Sequence, residues 1–196
     1  MWIAKLSAEA AAGVVALCWL GFGIVLILGR SRSAKSEKKR DLTSHLGFLL
    51  QCAGYGICFL FHRPYFSPMA SSEILGTAIS IAAIAIAIVS EWLTFAAAMT
   101  LGKQWALVAR VIEGHELVER GPYRFVRNPI YLAMLGVLVA TGLAISSWQA
   151  LLAALAVFLA GNEIRIRSEE KLLREAFGSK FDDYSRRVPA VFPRIL

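Results

Sequence analysis

The chain has 196 residues, of which 57% are hydrophobic and 18% are charged, and its formal net charge is +7. A typical soluble domain is about 45–50% apolar and about 25% charged. This composition excludes a disordered protein, a disulfide-bonded scaffold and an ordinary soluble enzyme of this size. It favours one integral membrane domain whose apolar surface faces lipid.

Five apolar segments predict about five transmembrane helices, because a helix needs about 20 apolar residues to cross a bilayer. They span about 8–29, 45–61, 71–101, 129–144 and 147–167. The third segment shows a partial period-two alternation that would also suit a barrel strand, but the segment is far too long for one. Residues 129–162 carry no charge, and Ser146 and Ser147 predict a tight turn between two helices there.

The positions of Lys and Arg predict how these helices are oriented. With five spans, residues 30–41, 102–128 and 165–196 lie on one side and hold 19 of the 21 Lys and Arg residues. The N-terminus is then outside and the C-terminus cytoplasmic. The first basic run follows its apolar segment, which predicts a retained anchor and not a cleaved signal peptide. No nucleic-acid motif accompanies the charge, so we expect no nucleic-acid partner.

Residues within the spans predict neither a metal site nor a dinucleotide site. The three cysteines lie in apolar segments without metal-ligand spacing, and the three histidines are far apart. Gly21 and Gly23 open no βαβ unit, and we expect them to let helices approach closely. Glu91 in the third span either lines a pocket or lies near the membrane interface.

The chain divides into residues 1–101, with three spans, and residues 102–196, which carry the informative polar segments. In the first such segment, Asn128 before Pro129 predicts an N-cap followed by proline at the first helical position. The free N–H groups and the positive end of the helix dipole would lie at the membrane boundary. With Arg127 they suit a carboxylate or phosphate, although an ordinary helix entrance explains the pattern equally well.

The second segment places charges at the mouth of the fifth span. Arg165 and Glu169 are four residues apart and therefore share one helix face. Glu170 adds a second carboxylate beside them. Ionisable groups that face a bundle interior are candidates for function, whereas groups at the end of a span can also be simple interface anchors. Gly178 predicts the end of a short helix that begins near Ser168.

Together these two segments resemble the isoprenylcysteine carboxyl methyltransferase family and its relatives, the phospholipid methyltransferases. The first family pattern is matched by Gly114, His115, Leu117, Val118, Gly121, Tyr123, Arg127, Pro129 and Tyr131. The second is matched by Arg165, Glu169, Glu170, Leu173, Phe177, Gly178 and Tyr184. Asn128 stands where the family usually has histidine, and asparagine keeps a hydrogen-bonding side chain there.

The resemblance implies a membrane enzyme that uses S-adenosylmethionine, releases S-adenosylhomocysteine and needs no metal. It implies a cytosolic cofactor pocket built by the segment before the fourth span and the C-terminal tail. The residues implied to bind the cofactor are His115, Leu117, Val118, Gly121, Tyr123, Arg127, Asn128, Pro129, Tyr131 and Glu170. Arg165 and Glu169 are implied to be catalytic and to face the reacting groups.

The acceptor that the resemblance implies is lipid-like and comes from the membrane. Carboxyl methylation of a prenylated cysteine, or of an analogue, is the leading interpretation. N-methylation of a phospholipid of the phosphatidylethanolamine type, or methylation of another apolar small molecule, is the alternative. A non-enzymatic membrane scaffold would leave the arginine and glutamate face unexplained. A transporter or channel is disfavoured because the polar residues cluster at one membrane face and no inverted repeat is visible.

Overall fold

The residues that the structure describes form a helical bundle with one short strand pair. The computed structural model describes residues 2–32, 37–40, 43–64, 67–104, 110–112 and 116–192. Its helices are α1 (Trp2–Arg32), α2 (Thr43–Leu60), α3 (Glu73–Leu101), α4 (Pro129–Ile145), α5 (Trp148–Phe177) and α6 (Ser179–Arg187). The strands β1 (Glu37–Arg40) and β2 (Arg110–Ile112) pair antiparallel. The predicted all-α architecture therefore holds for the described residues except for this ribbon, where two extended loop segments satisfy each other's backbone groups.

Three of the described helices are long and apolar enough to cross a membrane, namely Trp2–Val25 within α1, α3 and α5. The other two predicted spans coincide with α2, which has 18 residues, and α4, a shorter apolar helix of 17 residues. Leucine and isoleucine side chains are exposed on the outer faces of α1 to α3, as expected for surfaces that face lipid. A count of exactly five crossings stays a prediction.

Helix directions separate the bundle into two ends. α1 and α3 are parallel, since the N–H of Ile3 donates to Glu73 over 3.1 Å where both helices begin. α3 packs against α4 as well, and α2 packs against α5. The strand ribbon, residues 116–128 and α6 lie where α1, α3 and α5 end and α4 begins. We call this the basic end, and we call the opposite end, with residues 61–72 and 146–147, the loop end.

Arg63 at the loop end caps the C-terminus of α4. Its guanidinium donates to the carbonyls of Leu143 over 3.1 Å and Ala144 over 2.8 Å, and also to that of Ser146. A cation is favourable there because it satisfies the terminal carbonyls and lies at the negative end of the helix dipole. This contact explains why Arg63 lies at the loop end, although 19 of the 21 Lys and Arg residues lie in the three basic segments.

α5 carries the second polar segment without interruption. It begins after Ser147, whose side chain accepts from the N–H of Ala150, and ends at Gly178 with a φ of 53°. The predicted stop at Gly178 is confirmed. The predicted start of a separate helix near Ser168 is wrong, because the backbone hydrogen bonds of α5 continue through the change from apolar to charged side chains.

Glycines bring α2 and α5 into backbone contact. A Cβ at Gly47 would lie 2.5 Å from Cγ of Arg165 and 2.6 Å from the carbonyl oxygen of Gly161. On α1, a Cβ at Gly21 would lie 2.6 Å from Oε1 of Glu91, whereas one at Gly23 would meet nothing within 4 Å. Gly21 thus makes room for the Glu91 side chain of α3, whereas the described residues show no close contact at Gly23.

We expect Gly47→Ala to destabilise the protein by about 1–3 kcal/mol, because the added methyl group has no room between α2 and α5. Gly56→Ala on the same helix is the matched control, since a Cβ there would meet nothing within 4 Å. The control should be neutral or stabilising by up to about 1 kcal/mol, as alanine favours helix over glycine. Unfolding in detergent micelles measures both, and equal effects would contradict the packing described here.

Candidate active site

The structure brings the two polar segments together at the basic end. The phenol of Tyr131, in the first turn of α4, donates to Oε2 of Glu169 on α5 over 2.8 Å. The phenol of Tyr184 on α6 donates to the carbonyl oxygen of Tyr123 over 2.7 Å. Both contacts join residues 123–131 to the C-terminal part of the chain. Residues distant in sequence therefore form one polar cluster beside the apolar bundle.

Arg127 holds these segments in place. Its Nε and Nη2 donate to Oε1 of Glu170 over 3.0 and 2.6 Å, and the two side chains are only 12% and 18% exposed. Its Nη1 donates to the carbonyl of Ser185 over 2.7 Å and to that of Val188. Hydrogen bonds between charged partners are the stronger kind. Arg127 and Glu170, both predicted to bind cofactor, are therefore bonded to each other in this structure.

Asn128 is the N-cap residue of α4, as predicted, but its side chain makes no capping hydrogen bond. Its Nδ2 instead donates to the carbonyl oxygen of Ala190 over 2.9 Å, and its backbone N–H donates to the same oxygen over 3.0 Å. The C-terminal segment (residues 188–191), which follows α6, crosses the start of α4 and presents the Ala190 carbonyl to Asn128. The expected capping role of the side chain is thus wrong, and the amide anchors the C-terminal segment.

Arg165 is buried where α2, α4 and α5 meet. It is 3% exposed, and its Cζ lies 4.8 Å from the ring centroid of Tyr131 and 5.7 Å from that of Phe48. Its Nη1 donates to Oε1 of Gln51 over 2.6 Å. Arg165 and Glu169 thus both contact Tyr131, which places them on the same side of α5.

Sequence reasoning missed Gln51 and its partner Asn162. The Nε2 of Gln51 donates to Oδ1 of Asn162 over 2.9 Å, and both side chains are buried. Each is a polar residue within an otherwise apolar stretch. Such residues commonly hydrogen-bond to a neighbouring helix in membrane bundles, and this signal could have drawn attention to them.

The remaining predicted pocket residues shape the first segment. Leu117 packs on the apolar cluster formed by Phe181, Tyr184 and Val188, and Val118 is half-buried. Gly121 has a φ of 59°, and a Cβ there would lie 2.8 Å from Oγ1 of Thr100, so the tight approach to α3 requires glycine.

Pro129 and Tyr123, two further predicted pocket residues, are also buried. Pro129, the first residue of α4, is fully buried. Burial raises the pKa of the Tyr123 and Tyr184 phenols, so both stay protonated near neutral pH. His115, the remaining predicted ligand, lies outside the described residues, and its role stays a prediction.

Glu91 of α3 lies against α1, and its predicted place in a pocket or near the membrane interface stays a prediction. One carboxylate oxygen lies against Gly21, and the other is buried with no hydrogen-bond partner among the described residues. The thiols of Cys18, Cys52 and Cys58 are free. In the described part of the chain, no three His, Cys, Asp or Glu side chains come together as a metal site would require.

Comparison with known proteins identifies a family and several relatives of this chain. Residues 78–180 match the phospholipid methyltransferase family model. The nickel-cobalt-cadmium resistance protein NccN of Alcaligenes xylosoxydans xylosoxydans is 40% identical over 98 residues, which cover 49% of this chain and 45% of that protein. The cobalt-zinc-cadmium resistance protein CzcN of Cupriavidus metallidurans is 37% identical over 98 residues, 49% of this chain and 44% of that protein.

A plant protein is also similar. A probable protein-S-isoprenylcysteine O-methyltransferase of Oryza sativa subsp. indica is 28% identical over 119 residues, which cover 60% of this chain and 62% of that protein. The aligned part of the chain thus spans less than two thirds of each of these relatives. The family model, in contrast, covers more than half of the chain and both polar segments. The resemblance seen in the sequence is confirmed, and the chain belongs to the phospholipid methyltransferase family of membrane methyltransferases.

Proposed function

We propose that the protein transfers a methyl group from S-adenosylmethionine to the carboxylate of a prenylated cysteine or a similar lipid-like acid. The observation that carries this proposal is the buried cluster of Arg165, Tyr131 and Glu169 at the basic end. A buried guanidinium is suited to binding a carboxylate. In a membrane methyltransferase family, a buried cation next to the lipid supports the assignment of an acidic acceptor with an apolar tail.

The residues of the basic end fit S-adenosylmethionine chemically. This cofactor carries a positively charged sulfur and an amino-acid group, for which carboxylates, phenols and a guanidinium are suitable partners. Glu170, Tyr123 and Arg127 would supply these groups, together with the other pocket residues that the family pattern implies. Ser168, on α5 between Arg165 and Glu169, has a buried hydroxyl without a hydrogen-bond partner among the described residues. When bound, the cofactor supplies an electrophilic methyl group.

Arg165 would hold the acceptor carboxylate, and no general base is needed because a carboxylic acid is already ionised near neutral pH. Glu169, fixed by the Tyr131 phenol, would balance the charge of Arg165 and keep it oriented. The work of the protein is then positioning and exclusion of water, and positioning alone can supply about 7–11 kcal/mol at best.

A phospholipid amine is the second candidate acceptor, because the matching family model is named for methylation of phospholipids. An ammonium group must lose a proton before it can accept a methyl group, and Glu169 would be the base. The plant relative is named for prenylcysteine O-methylation, whereas the names of the two bacterial relatives identify no acceptor. The buried cation at the site favours the carboxylate.

We further propose that the basic end faces the cytoplasm and that the N-terminus is outside. The bias of Lys and Arg toward this end supports the orientation. The acceptor would enter from the lipid beside α2, where the half-buried ring of Phe48 lies next to Arg165. The polar cofactor would enter from the water.

Binding of S-adenosylhomocysteine tests the enzyme assignment directly. At a concentration about 100 times its dissociation constant, a ligand stabilises the folded state by about 2.7 kcal/mol, so we expect a higher unfolding temperature in detergent micelles. Labelled methyl transfer should then mark a farnesylcysteine analogue. Label on the amine lipids of an extract would favour the second acceptor. No stabilisation and no transfer would contradict the assignment and favour a membrane scaffold.

We expect Arg165→Ala and Glu169→Gln each to lower turnover of the farnesylcysteine analogue by roughly 100-fold. The first removes the cation that would hold the acceptor carboxylate, and the second removes the negative charge that would keep Arg165 oriented. S-adenosylhomocysteine binding should persist in both variants. Arg167→Ala is the matched control, because Arg167 lies on the same helix with a side chain 79% exposed and paired with Glu163. Wild-type turnover in the Arg165 or Glu169 variant would remove that residue from the mechanism.

A further inference from the structure

Gln51 on α2 is fully buried and connects two residues of α5. Its Oε1 accepts from Nη1 of Arg165 over 2.6 Å, and its Nε2 donates to Oδ1 of Asn162 over 2.9 Å. Neither the matched family segment nor the motifs in the sequence include Gln51, which lies 27 residues before residue 78, where the matched segment begins. The family match therefore assigns no role to the Gln51 side chain.

The two hydrogen bonds fix the orientation of the Gln51 amide. A guanidinium can only donate, so the amide oxygen must face Arg165. The amide nitrogen must then face Asn162, whose Oδ1 accepts from it. Burying an amide among apolar helices is costly unless its hydrogen bonds are made. Rotation of the Gln51 side chain away from Arg165 and Asn162 would break both hydrogen bonds of its buried amide, so the amide is held firmly.

α2 restrains Arg165 at a second point, because Gly47 lies one helical turn before Gln51. The missing side chain of Gly47 makes room for the arginine stem, since a Cβ there would lie 2.5 Å from Cγ of Arg165. The ring of Phe48 lies 5.7 Å from Cζ. The stem and the head of Arg165 are thus both placed by α2, although Arg165 itself belongs to α5.

We propose that Gln51 is a positioning residue that fixes the plane of the Arg165 guanidinium for the acceptor carboxylate, with Asn162 fixing Gln51. This inference rests on the proposed function. It extends the active site to α2, outside the family segment. A neutral amide orients the guanidinium without adding negative charge, whereas a glutamate at this position would compete with an acidic acceptor for Arg165.

Gln51→Met and Gln51→Glu test the proposal in the full-length protein with the farnesylcysteine analogue as acceptor. Gln51→Met keeps the volume but loses the acceptor oxygen, so we expect kcat/KM to fall about 10- to 100-fold. Gln51→Glu keeps the oxygen and adds charge, so we expect KM to rise more than kcat falls. In both variants, the dissociation constant of S-adenosylhomocysteine should differ from the wild-type value by less than about twofold.

Thr141→Val is the matched control, because Thr141 is as fully buried as Gln51 and also makes a hydrogen bond between helices. Its hydroxyl accepts from Nε1 of Trp19 and contacts none of the proposed site residues that the structure describes. We expect that variant to keep wild-type kcat/KM. In an Arg165→Ala background, Gln51→Met should cause no further loss of activity. Wild-type kcat/KM in Gln51→Met, or an equal loss with and without Arg165, would overturn the proposal.

The assay separates this proposal from the proposed function. Active wild-type protein together with a fully active Gln51→Met overturns only the role of Gln51. Wild-type protein that neither binds S-adenosylhomocysteine nor transfers label overturns both. Gln51→Glu supplies the KM readout independently if Gln51→Met does not fold, and an unchanged KM there also contradicts the proposal.

Discussion

The guanidinium of Arg127 donates to a carboxylate of α5 and to two carbonyls that follow in the C-terminal segment. Each of these groups lies close to the apolar bundle, where an unpaired polar group is costly. One side chain thereby ties the start of α4 to α5, to the end of α6 and to the segment that follows α6. The relative positions of Tyr123, Tyr131 and Glu169 depend on this tie, because they lie on the segments it joins.

The apolar bundle contributes to the site as well as supporting it. Without a strong hydrophobic drive between helices in lipid, close packing at small residues and interhelical hydrogen bonds hold a bundle together. Gly47 and Gly161 allow α2 and α5 to touch, and the same contact places Gln51 beside Arg165. A charged side chain can therefore be held in a fixed orientation at the membrane boundary, as the proposed transfer to a lipid-like acceptor requires.

Sequence patterns predicted the elements whose signals are local. The start of α4 at Pro129, the end of α5 at Gly178 and the common side of Arg165 and Glu169 follow from spacing and backbone preference. Sequence patterns do not predict the hydrogen-bond partners that tertiary packing sets. The Asn128 amide donates to the Ala190 carbonyl instead of capping α4. Gln51 contacts Arg165 only because α2 lies against α5. The continuity of α5 past Ser168 was missed because a change in polarity at the end of a span does not interrupt a helix.

Hydrogen exchange in lipid nanodiscs with and without S-adenosylhomocysteine tests most directly whether the two polar segments form one site. Peptides covering residues 116–128 and 178–191 lie outside the apolar helices, so their exchange can report binding. The account predicts that the ligand slows exchange in both peptides together. Protection of only one of them, or of neither under saturating ligand, would contradict it.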